Sequence, residues 1–290
     1  MSLLRVLLGL LLSLAIGWAA YRRGSLSESG VVGAVLTGTA TFGFGGWTWG
    51  LVLVAFFVSS SYLSHYKQGR KAHLAEKFAK GERRDLAQTL ANGGLGALLA
   101  VLALVLVDLP GQPRAGNPLY LFLAFSYFGA IAAVNADTWA TELGVLASSP
   151  PRLISNGRTV PVGTSGGVTG TGVLAALAGS TFIGLVAFLL IQAASLISTG
   201  AWLLADWVVV PVAALAGLAG SLFDSWLGAT VQEVRWCDRC GKETERTVHT
   251  CGASTRPLRG WSWLNNDVVN FAASVVGALV AGGLGLLITA

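Results

Sequence analysis

Charged residues are scarce in this sequence of 290 residues. Asp, Glu, Lys and Arg together make up 11% of the chain, against about 25% in a typical globular protein. A soluble domain of this length needs far more charge to cover its surface. The scarcity does not indicate disorder, because 53% of the residues are hydrophobic and the net charge is only +5. With 38 glycines among runs of Leu, Ala and Val, the composition is that of a polytopic membrane protein.

Long apolar runs predict an all-α bundle of about eight transmembrane helices, in a single domain over residues 1–290. A hydrocarbon core of roughly 30 Å needs about 20 mainly apolar residues per helix. The predicted spans are Leu3–Ala20, Val31–Gly45, Trp47–Leu63, Leu90–Val107, Leu119–Val134, Val168–Ile191, Trp207–Ala229 and Val268–Ile288. Residues 192–206 are apolar enough to form an interfacial or re-entrant piece, which leaves seven or nine spans open.

The basic residues indicate an orientation with the N-terminus outside. The segments that then lie in the cytoplasm are 20–30, 65–89, 135–167 and 230–267. They hold 17 of the 19 Lys and Arg residues, as the positive-inside rule requires. The basic excess therefore needs no nucleic-acid partner, and Arg22 and Arg23 directly after the first span favour a retained anchor over a cleaved signal peptide. We expect a protein of a prokaryotic cytoplasmic membrane, with its site on the cytoplasmic side.

Two acidic residues are expected at membrane depth. Asp137 lies in the motif NADTWATELG at the inner end of span five, and Asp224 lies inside span seven. An acidic residue there costs about 2.5–3.5 kcal/mol on insertion scales and usually has a partner or a function. Since Mg²⁺ binds a few carboxylates together with phosphate oxygens, the pair predicts a Mg²⁺ site. Glu142 and Asp267 are candidate further ligands, and Asn270 completes the predicted catalytic set. The alternative for Asp137 is a helix end already in water.

Candidates for phosphate binding lie in the predicted cytoplasmic segments. Segment 65–89 is predicted to be an amphipathic helix at the headgroups; a plain membrane anchor is the alternative, but Gln88 and Asn92 extend its polar face into the next span. Gly163–Gly167 is expected to expose backbone N–H groups where a helix begins, which suits phosphate, with a flexible connector as the alternative. The candidate residues are Lys77, Lys80, Arg84, Gln88, Asn92, Arg152, Gly163, Thr164, Ser165, Gly166 and Gly167.

Cysteine is also rare, and all three cysteines lie in the loop 230–267. Cys237-x2-Cys240 is followed by His249-x-Cys251, so four candidate ligands lie within 15 residues. On the reducing side of a membrane this spacing predicts a structural Cys₃His zinc site. A disulfide would leave one thiol over and would lie in the wrong compartment. The loop is expected to be a small zinc-binding fold and not the catalyst.

The same segments carry a resemblance to a known family. The motifs, in order, are RKAHLAEKFAKGERRDLAQTLANG, ADTWATELG, PRLI with VPVGTSGGVT, GSLFDSWLGATVQ and WLNNDVVN. They resemble the integral-membrane family once called domain of unknown function 92, which includes transmembrane protein 19 and the phytyl-phosphate kinase of vitamin E synthesis. The resemblance runs from about residue 5 to residue 288. It implies a CTP-using membrane kinase that converts a prenyl monophosphate to the diphosphate. Asp137 to Ala140, Gly144 and the later Pro-x-Gly-Thr are also distantly similar to the CTP-binding region of dolichol kinases.

The predicted reaction is phosphoryl transfer from CTP or another nucleoside triphosphate at the inner membrane face. Asp137 and Asp224 are expected to hold Mg²⁺, and the Gly163–Gly167 loop to bind phosphate oxygens. One alternative is a cytidylyltransferase that acts on a lipid phosphate and releases pyrophosphate. Another is a transporter or flippase for a prenyl phosphate, which predicts an inverted repeat and polar residues through the full membrane depth. The sequence shows neither of these features. The expected partners are the bilayer, the prenyl monophosphate, the nucleotide and possible further copies of the chain.

Overall fold

The computed structural model describes residues 3–67, 69 and 83–289. Within them the chain is mostly helical, as predicted. The long helices are α1 (Leu3–Arg22), α2 (Glu28–Ala40), α3 (Trp47–His65), α4 (Leu86–Ala103), α5 (Pro118–Gly144), α6 (Gly170–Thr199), α7 (Val209–Thr230) and α8 (Asn266–Thr289). Short π turns continue α2 as Thr41–Gly45 and α4 as Leu104–Asp108, and the 3₁₀ turn Leu204–Val208 leads into α7.

The number of membrane-spanning helices agrees with the prediction of about eight. Seven helices of the described chain are long and apolar enough to cross a membrane. The remaining one, α2, is shorter, and its π continuation ends at Gly46, whose φ of +94° turns the chain into α3. An all-α membrane bundle is therefore confirmed.

Residues 192–206 do not form a separate re-entrant piece, which corrects one of the alternatives left open by the sequence. Their first part extends α6, and their last part belongs to the 3₁₀ turn before α7. The reason is the buried Gln192. Its Nε2 donates to the carbonyl of Leu203 (2.8 Å) and its Oε1 accepts from the N–H of Leu203 (2.9 Å), so the chain turns directly back. Apolar composition alone cannot distinguish this turn from a re-entrant loop.

Small residues allow α5, α7 and α8 to pack at close range. A Cβ at Gly129 of α5 would overlap the backbone of Gly277 in α8, and a Cβ at Gly220 of α7 would overlap Ala133 of α5. Without a hydrophobic driving force between helices in lipid, such close backbone contact is a main source of association. As a result, α7 and α8 both lie directly against α5, the helix that carries Asp137.

A buried amide ties α5 to the two helices on its other side. Asn135 accepts a hydrogen bond from Ser59 Oγ of α3 (2.9 Å) and donates through Nδ2 to the carbonyl of Gly179 in α6 (2.7 Å). Trp139 of α5 adds a longer bond from its ring nitrogen to Ser59 Oγ (3.4 Å). Buried polar groups are tolerated when they are paired in this way. The network fixes the rotation of α5 about its axis.

Irregular segments gather at one end of the bundle, which we call the loop end. Here α1, α3, α5 and α7 finish and the other helices begin; for example, Leu26 and Arg84 form a backbone bridge between the starts of α2 and α4. The loop between α5 and α6 contains the antiparallel pair β1 (Arg152–Leu153) and β2 (Gly167–Val168). The loop between α7 and α8 contains a sheet of β3 (Val234–Cys237) flanked by β4 (Lys242–Thr244) and β5 (Arg256–Arg259).

The opposite end is closed by an ion pair and stacked aromatic rings. Arg114 pairs with Asp108 and donates to the carbonyls of Phe44 (2.9 Å) and Gly45 (3.3 Å), so it fastens the π turn after α2 to the one after α4. Deeper in the bundle, the rings of Trp49 and Tyr127 stack with centroids 4.3 Å apart. These contacts fill the bundle on the side away from the loop end.

Candidate functional site

A polar cavity of about 240 Å³ lies among α4, α5, α7 and α8. Its lining residues are Asn92, Ala133, Val134, Asp137, Thr138, Asp224, Asn270 and Ala273. The two carboxylates and two amides come from four helices and from positions as distant as 92 and 270. We call this space the carboxylate cavity.

The polar groups of the carboxylate cavity are incompletely paired. Asp137 accepts a hydrogen bond from the Ser221 hydroxyl of α7, and its charge acts on Asp224. Asp224 Oδ2 and Asn92 Oδ1 are both buried, and neither has a hydrogen-bond partner among the described residues. Leaving such groups unpaired costs free energy. A set of carboxylate and amide oxygens with open positions fits a hard divalent cation such as Mg²⁺.

Not every predicted acidic residue reaches the cavity. Glu142 lies further along α5, and its charge acts on the guanidinium of Arg84. Asp267 lies in the first turn of α8, where Asn265 Oδ1 caps the helix by accepting from the N–H groups of Asp267 (3.0 Å) and Val268 (3.1 Å). The structure therefore brings Asp137, Asp224 and Asn270 together and leaves the other two predicted acids outside the cavity lining.

The predicted phosphate-binding side chains near α4 have different surroundings. Lys77 and Lys80 lie outside the described residues. Arg84 is half-buried, donates to Ser61 Oγ (3.0 Å) and has its guanidinium 5.7 Å from the ring centre of Phe57. Its burial lowers the pKa of Arg84, and the charge of Glu142 opposes that shift. A buried cation of this kind is well placed to bind an anion.

Gln88 and Asn92 have different structural roles although they are one helical turn apart. Gln88 forms a capping box with Asp85: its Oε1 accepts from the Asp85 N–H (3.2 Å), and Asp85 Oδ1 accepts from the Gln88 N–H (2.9 Å). Asn92 instead lines the carboxylate cavity. The Gln88 carbonyl oxygen is thus used to begin α4.

The glycine-rich loop Gly163–Gly167 packs against the end of α7. Two of its N–H groups are used within the loop, because Thr164 donates to the carbonyl of Pro161 (3.1 Å) and Gly167 donates to that of Thr164 (2.9 Å). This corrects the expectation that all of its N–H groups are exposed. Gly166 has a φ of +81°, and a Cβ there would overlap Ala229. The loop therefore lies about one and a half helical turns beyond Asp224. Arg152, on the neighbouring strand, is exposed and donates to the carbonyl of Gly157 (3.1 Å).

The three cysteines and His249 converge as the spacing predicted. Ligand atoms of Cys237, Cys240, His249 and Cys251 all lie within 4.8 Å of one another. His249 Nε2 is buried and has no hydrogen-bond partner in the described chain. A backbone hydrogen bond at Ala253 and the His249 side chain lower the pKa of the Cys251 thiol to about 6, which favours the thiolate. The group can bind a metal such as zinc.

Comparison with known proteins gives the family. A family profile described as "Integral membrane protein DUF92" matches residues 11–278. The chain belongs to this family. It is similar to protein PGR of Arabidopsis thaliana, with 35% identity over 93% of this chain and 92% of the relative. An uncharacterized membrane protein of Methanocaldococcus jannaschii is 26% identical over 96% and 94%. Chloroplastic protein VTE6 of Arabidopsis thaliana is 25% identical over 88% and 64%.

These relatives bear on where the protein resides. The relatives named above come from Arabidopsis thaliana, one of them chloroplastic, and from Methanocaldococcus jannaschii, and a further one comes from Synechocystis. Membership of DUF92 makes the protein an integral membrane protein, but the relatives do not single out a prokaryotic membrane. No solved structure matches the chain.

Gln232 and Arg259 connect the loop between α7 and α8 to the glycine-rich loop, and neither is among the predicted site residues. Gln232, just past the end of α7, accepts from Ser165 Oγ (2.8 Å) and donates to Glu245 Oε1 (2.9 Å). Arg259 of β5 donates to the carbonyl of Gly228 (3.0 Å). The loop between α7 and α8 thereby holds the glycine-rich loop against α7. Such pairs are distant in sequence and leave no local pattern, so no signal in the sequence could have revealed them.

Proposed function

We propose that this DUF92 protein is a membrane kinase that transfers the terminal phosphate of CTP, or of another nucleoside triphosphate, to a prenyl monophosphate. The observation that carries the proposal is the carboxylate cavity, where Asp137 and Asp224 from two packed membrane helices face each other with an unpartnered oxygen. Membership of DUF92 and the likeness to VTE6 support a substrate of the prenyl-phosphate class, through the resemblance of this family to phytyl-phosphate kinase.

In the proposed reaction an oxygen of the prenyl monophosphate attacks the γ-phosphorus of the nucleotide. The new P–O bond forms as the bond between the γ-phosphorus and its bridging oxygen breaks, and the nucleoside diphosphate leaves with the electron pair. No general base is required, because the attacking phosphate oxygen is already ionised near neutral pH. Catalysis therefore depends on positioning and on charge stabilisation.

The residues of the site have separate tasks in this proposal. Asp137 and Asp224 would hold Mg²⁺ together with an amide oxygen of Asn92 or Asn270, and the ion would supply positive charge to the nucleotide phosphates. Arg84 binds the phosphate of the lipid, because a guanidinium forms paired hydrogen bonds with phosphate oxygens. The free N–H groups of the glycine-rich loop contact the nucleotide. Lys77, Lys80 and Arg152 attract the anionic substrates from the headgroup region.

Transport is less well supported than transfer. A transporter needs a path that opens to both sides of the membrane. In the described chain, the carboxylate cavity adjoins the loop end, while Trp49 and Tyr127 stack in the bundle interior beyond it. A cytidylyltransferase would use the same carboxylates, so the products must distinguish it from a kinase.

The test is product analysis on purified protein in lipid nanodiscs. The reaction contains Mg²⁺, geranylgeranyl monophosphate and CTP or ATP labelled at either the α- or the γ-phosphate. Label from the γ-position in a prenyl diphosphate supports the kinase. Label from the α-position in the lipid overturns it in favour of cytidylyl transfer. Absence of both, in folded protein, refutes the proposal as well.

Matched variants show whether the carboxylate cavity carries the activity. Asp137→Asn and Asp224→Asn are each expected to lower the rate of transfer by about a hundredfold or more. Glu28→Gln is the control, because it also removes one acidic charge near the loop end but from an exposed position at the start of α2. Transfer that stays at the wild-type rate in both cavity variants contradicts the assignment.

A further inference from the structure

A second and larger cavity, of about 630 Å³, lies among α1, α2, α3 and α4. Most of its lining side chains are apolar. They include Leu26, Phe42, Leu53, Val54, Phe56 and Phe57. We call this space the apolar cavity.

The polar side chains of the apolar cavity include Ser13 and Thr37 within the bundle, but Arg84, the charged group of its lining, lies at the loop end. Arg84, Thr89 and Asn92 contribute to the wall there. Arg84 is half-buried and lies against Phe57, so its charge stands at the boundary between the apolar lining and the loops. A cation at the entrance of an apolar space is complementary to a ligand with an anionic head and a hydrocarbon tail.

The apolar cavity extends along α2 into the bundle. Ala34 and Phe42 both line it, and they are separated by roughly 12 Å along the axis of α2 at 1.5 Å per residue. Phe42 is buried and packs edge-on against Trp47, with ring centroids 5.8 Å apart. Its ring lines the cavity on the side away from Arg84.

The two cavities share one side chain. Asn92 lines both the apolar cavity and the carboxylate cavity, and its Oδ1 is buried without a partner among the described residues. A head group bound between Arg84 and Asn92 would therefore lie next to Asp137 and Asp224. Its hydrocarbon tail would extend away from them, toward Phe42.

We propose that the apolar cavity binds the isoprenoid chain of the acceptor lipid, with the phosphate held between Arg84 and Asn92. This inference rests on the proposed function and adds to it the location of the chain. The bound chain runs between helices of the bundle, with its phosphate presented to the carboxylate cavity. Phe42 limits the length of chain that the cavity accepts.

The direct test is photo-crosslinking, which does not depend on catalysis. The probe is geranylgeranyl monophosphate with a diazirine at the end of its chain, and labelled peptides are identified by mass spectrometry. The proposal predicts label on α2 and α3 near Phe42 and Leu53, with competition by unlabelled geranylgeranyl monophosphate. Label confined to the lipid-facing surface, or unaffected by the competitor, overturns the proposal.

Two pairs of variants sharpen the test. Ala34→Trp fills the apolar cavity, whereas Val32→Trp places the same ring on the exposed face of the same helix. Excluding two or three buried carbons is expected to weaken labelling by about tenfold or more in the first variant only. Val54→Phe fills the cavity from α3 and replaces Ala34→Trp if that variant does not fold. Equal labelling in the filled and control variants contradicts the inference.

Chain-length dependence separates this inference from the proposed function. In Ala34→Trp, kcat/KM is expected to fall about tenfold or more for geranylgeranyl monophosphate and to change little for dimethylallyl monophosphate, whose chain is short. Specific labelling of the cavity without any phosphoryl transfer would refute the kinase and leave the binding site standing. Phosphoryl transfer with label outside the apolar cavity would refute the binding site and leave the kinase standing.

Discussion

Replacement of Asp224 by Asn is expected to lower activity by at least a hundredfold and yet stabilise the metal-free protein. In the structure, Asp224 faces the charge of Asp137, and its Oδ2 is buried without a hydrogen-bond partner in the described chain. The cost of such an unsatisfied group is about 1–3 kcal/mol. Removing the charge removes part of this cost and the repulsion between the two carboxylates. At about 2–4 °C per kcal/mol for a domain of this size, Tm should rise by roughly 2–10 °C without metal.

Mg²⁺ should stabilise the wild type more than it stabilises Asp224→Asn. A ligand at 100 times its Kd stabilises the folded state by about 2.7 kcal/mol, so Mg²⁺ is expected to raise the Tm of the wild type and to have little effect on Asp224→Asn. Activity should fall by about a hundredfold to a thousandfold, the loss seen when one preorganised charge-stabilising group is removed. Asp137→Asn should gain less stability, because the Asp137 carboxyl already accepts a bond from Ser221.

Differential scanning fluorimetry with and without Mg²⁺, together with the transfer assay, measures all of these quantities on one preparation. Glu28→Gln serves again as the control. Its Tm with and without Mg²⁺ and its rate of transfer should match those of the wild type. A lower Tm for metal-free Asp224→Asn would refute the view that this carboxylate is held at a cost to stability. A variant that keeps its response to Mg²⁺ would show that the ion binds elsewhere.

Three further predictions concern the groups around the site. Cys240→Ala should lose the bound metal, measured by elemental analysis, and should unfold at lower temperature, whereas metal-free wild-type protein would disprove the Cys₃His assignment. Gln232→Ala should lower activity about tenfold while metal content stays normal, because the partners it leaves unpaired cost about 1–3 kcal/mol and the glycine-rich loop is no longer held. The control is Gln112→Ala, in the loop at the other end of the bundle. Asn135→Ala should lower the free energy of unfolding by about 1–3 kcal/mol in denaturant titrations, and an unchanged midpoint would show that the network contributes nothing.

The sequence predicted the helices well because each transmembrane span carries its own signal. Apolar length follows from the thickness of the bilayer, and it does not depend on which helices become neighbours. Asp137 and Asp224 were also predictable, since a carboxylate at membrane depth is costly enough to be conspicuous in an apolar run. Their meeting in one cavity was expected from their common depth.

The remaining features depend on contacts between distant segments. The task of Gln88 had a local signal, because Asp85 three residues earlier forms a capping box with it, and this pattern is readable from sequence. The hydrogen bond between Ser165 and Gln232 had no such signal in the sequence. The apolar cavity had none either, since a space between helices is defined by side chains that do not meet, and apolar residues that line it look the same in sequence as residues that fill a core.

The position of Asn92 between two cavities has a consequence for the order in which ligands bind. An amide presents an oxygen on one side and an NH₂ group on the other, so a ligand that fixes its orientation in one cavity also selects which group faces the other. A magnesium–nucleotide complex that takes the oxygen would turn the NH₂ group toward the lipid phosphate. Each ligand would then raise the affinity for the other by the same factor, as reciprocity of coupled equilibria requires. A single side chain would in this way couple the binding of the two proposed ligands.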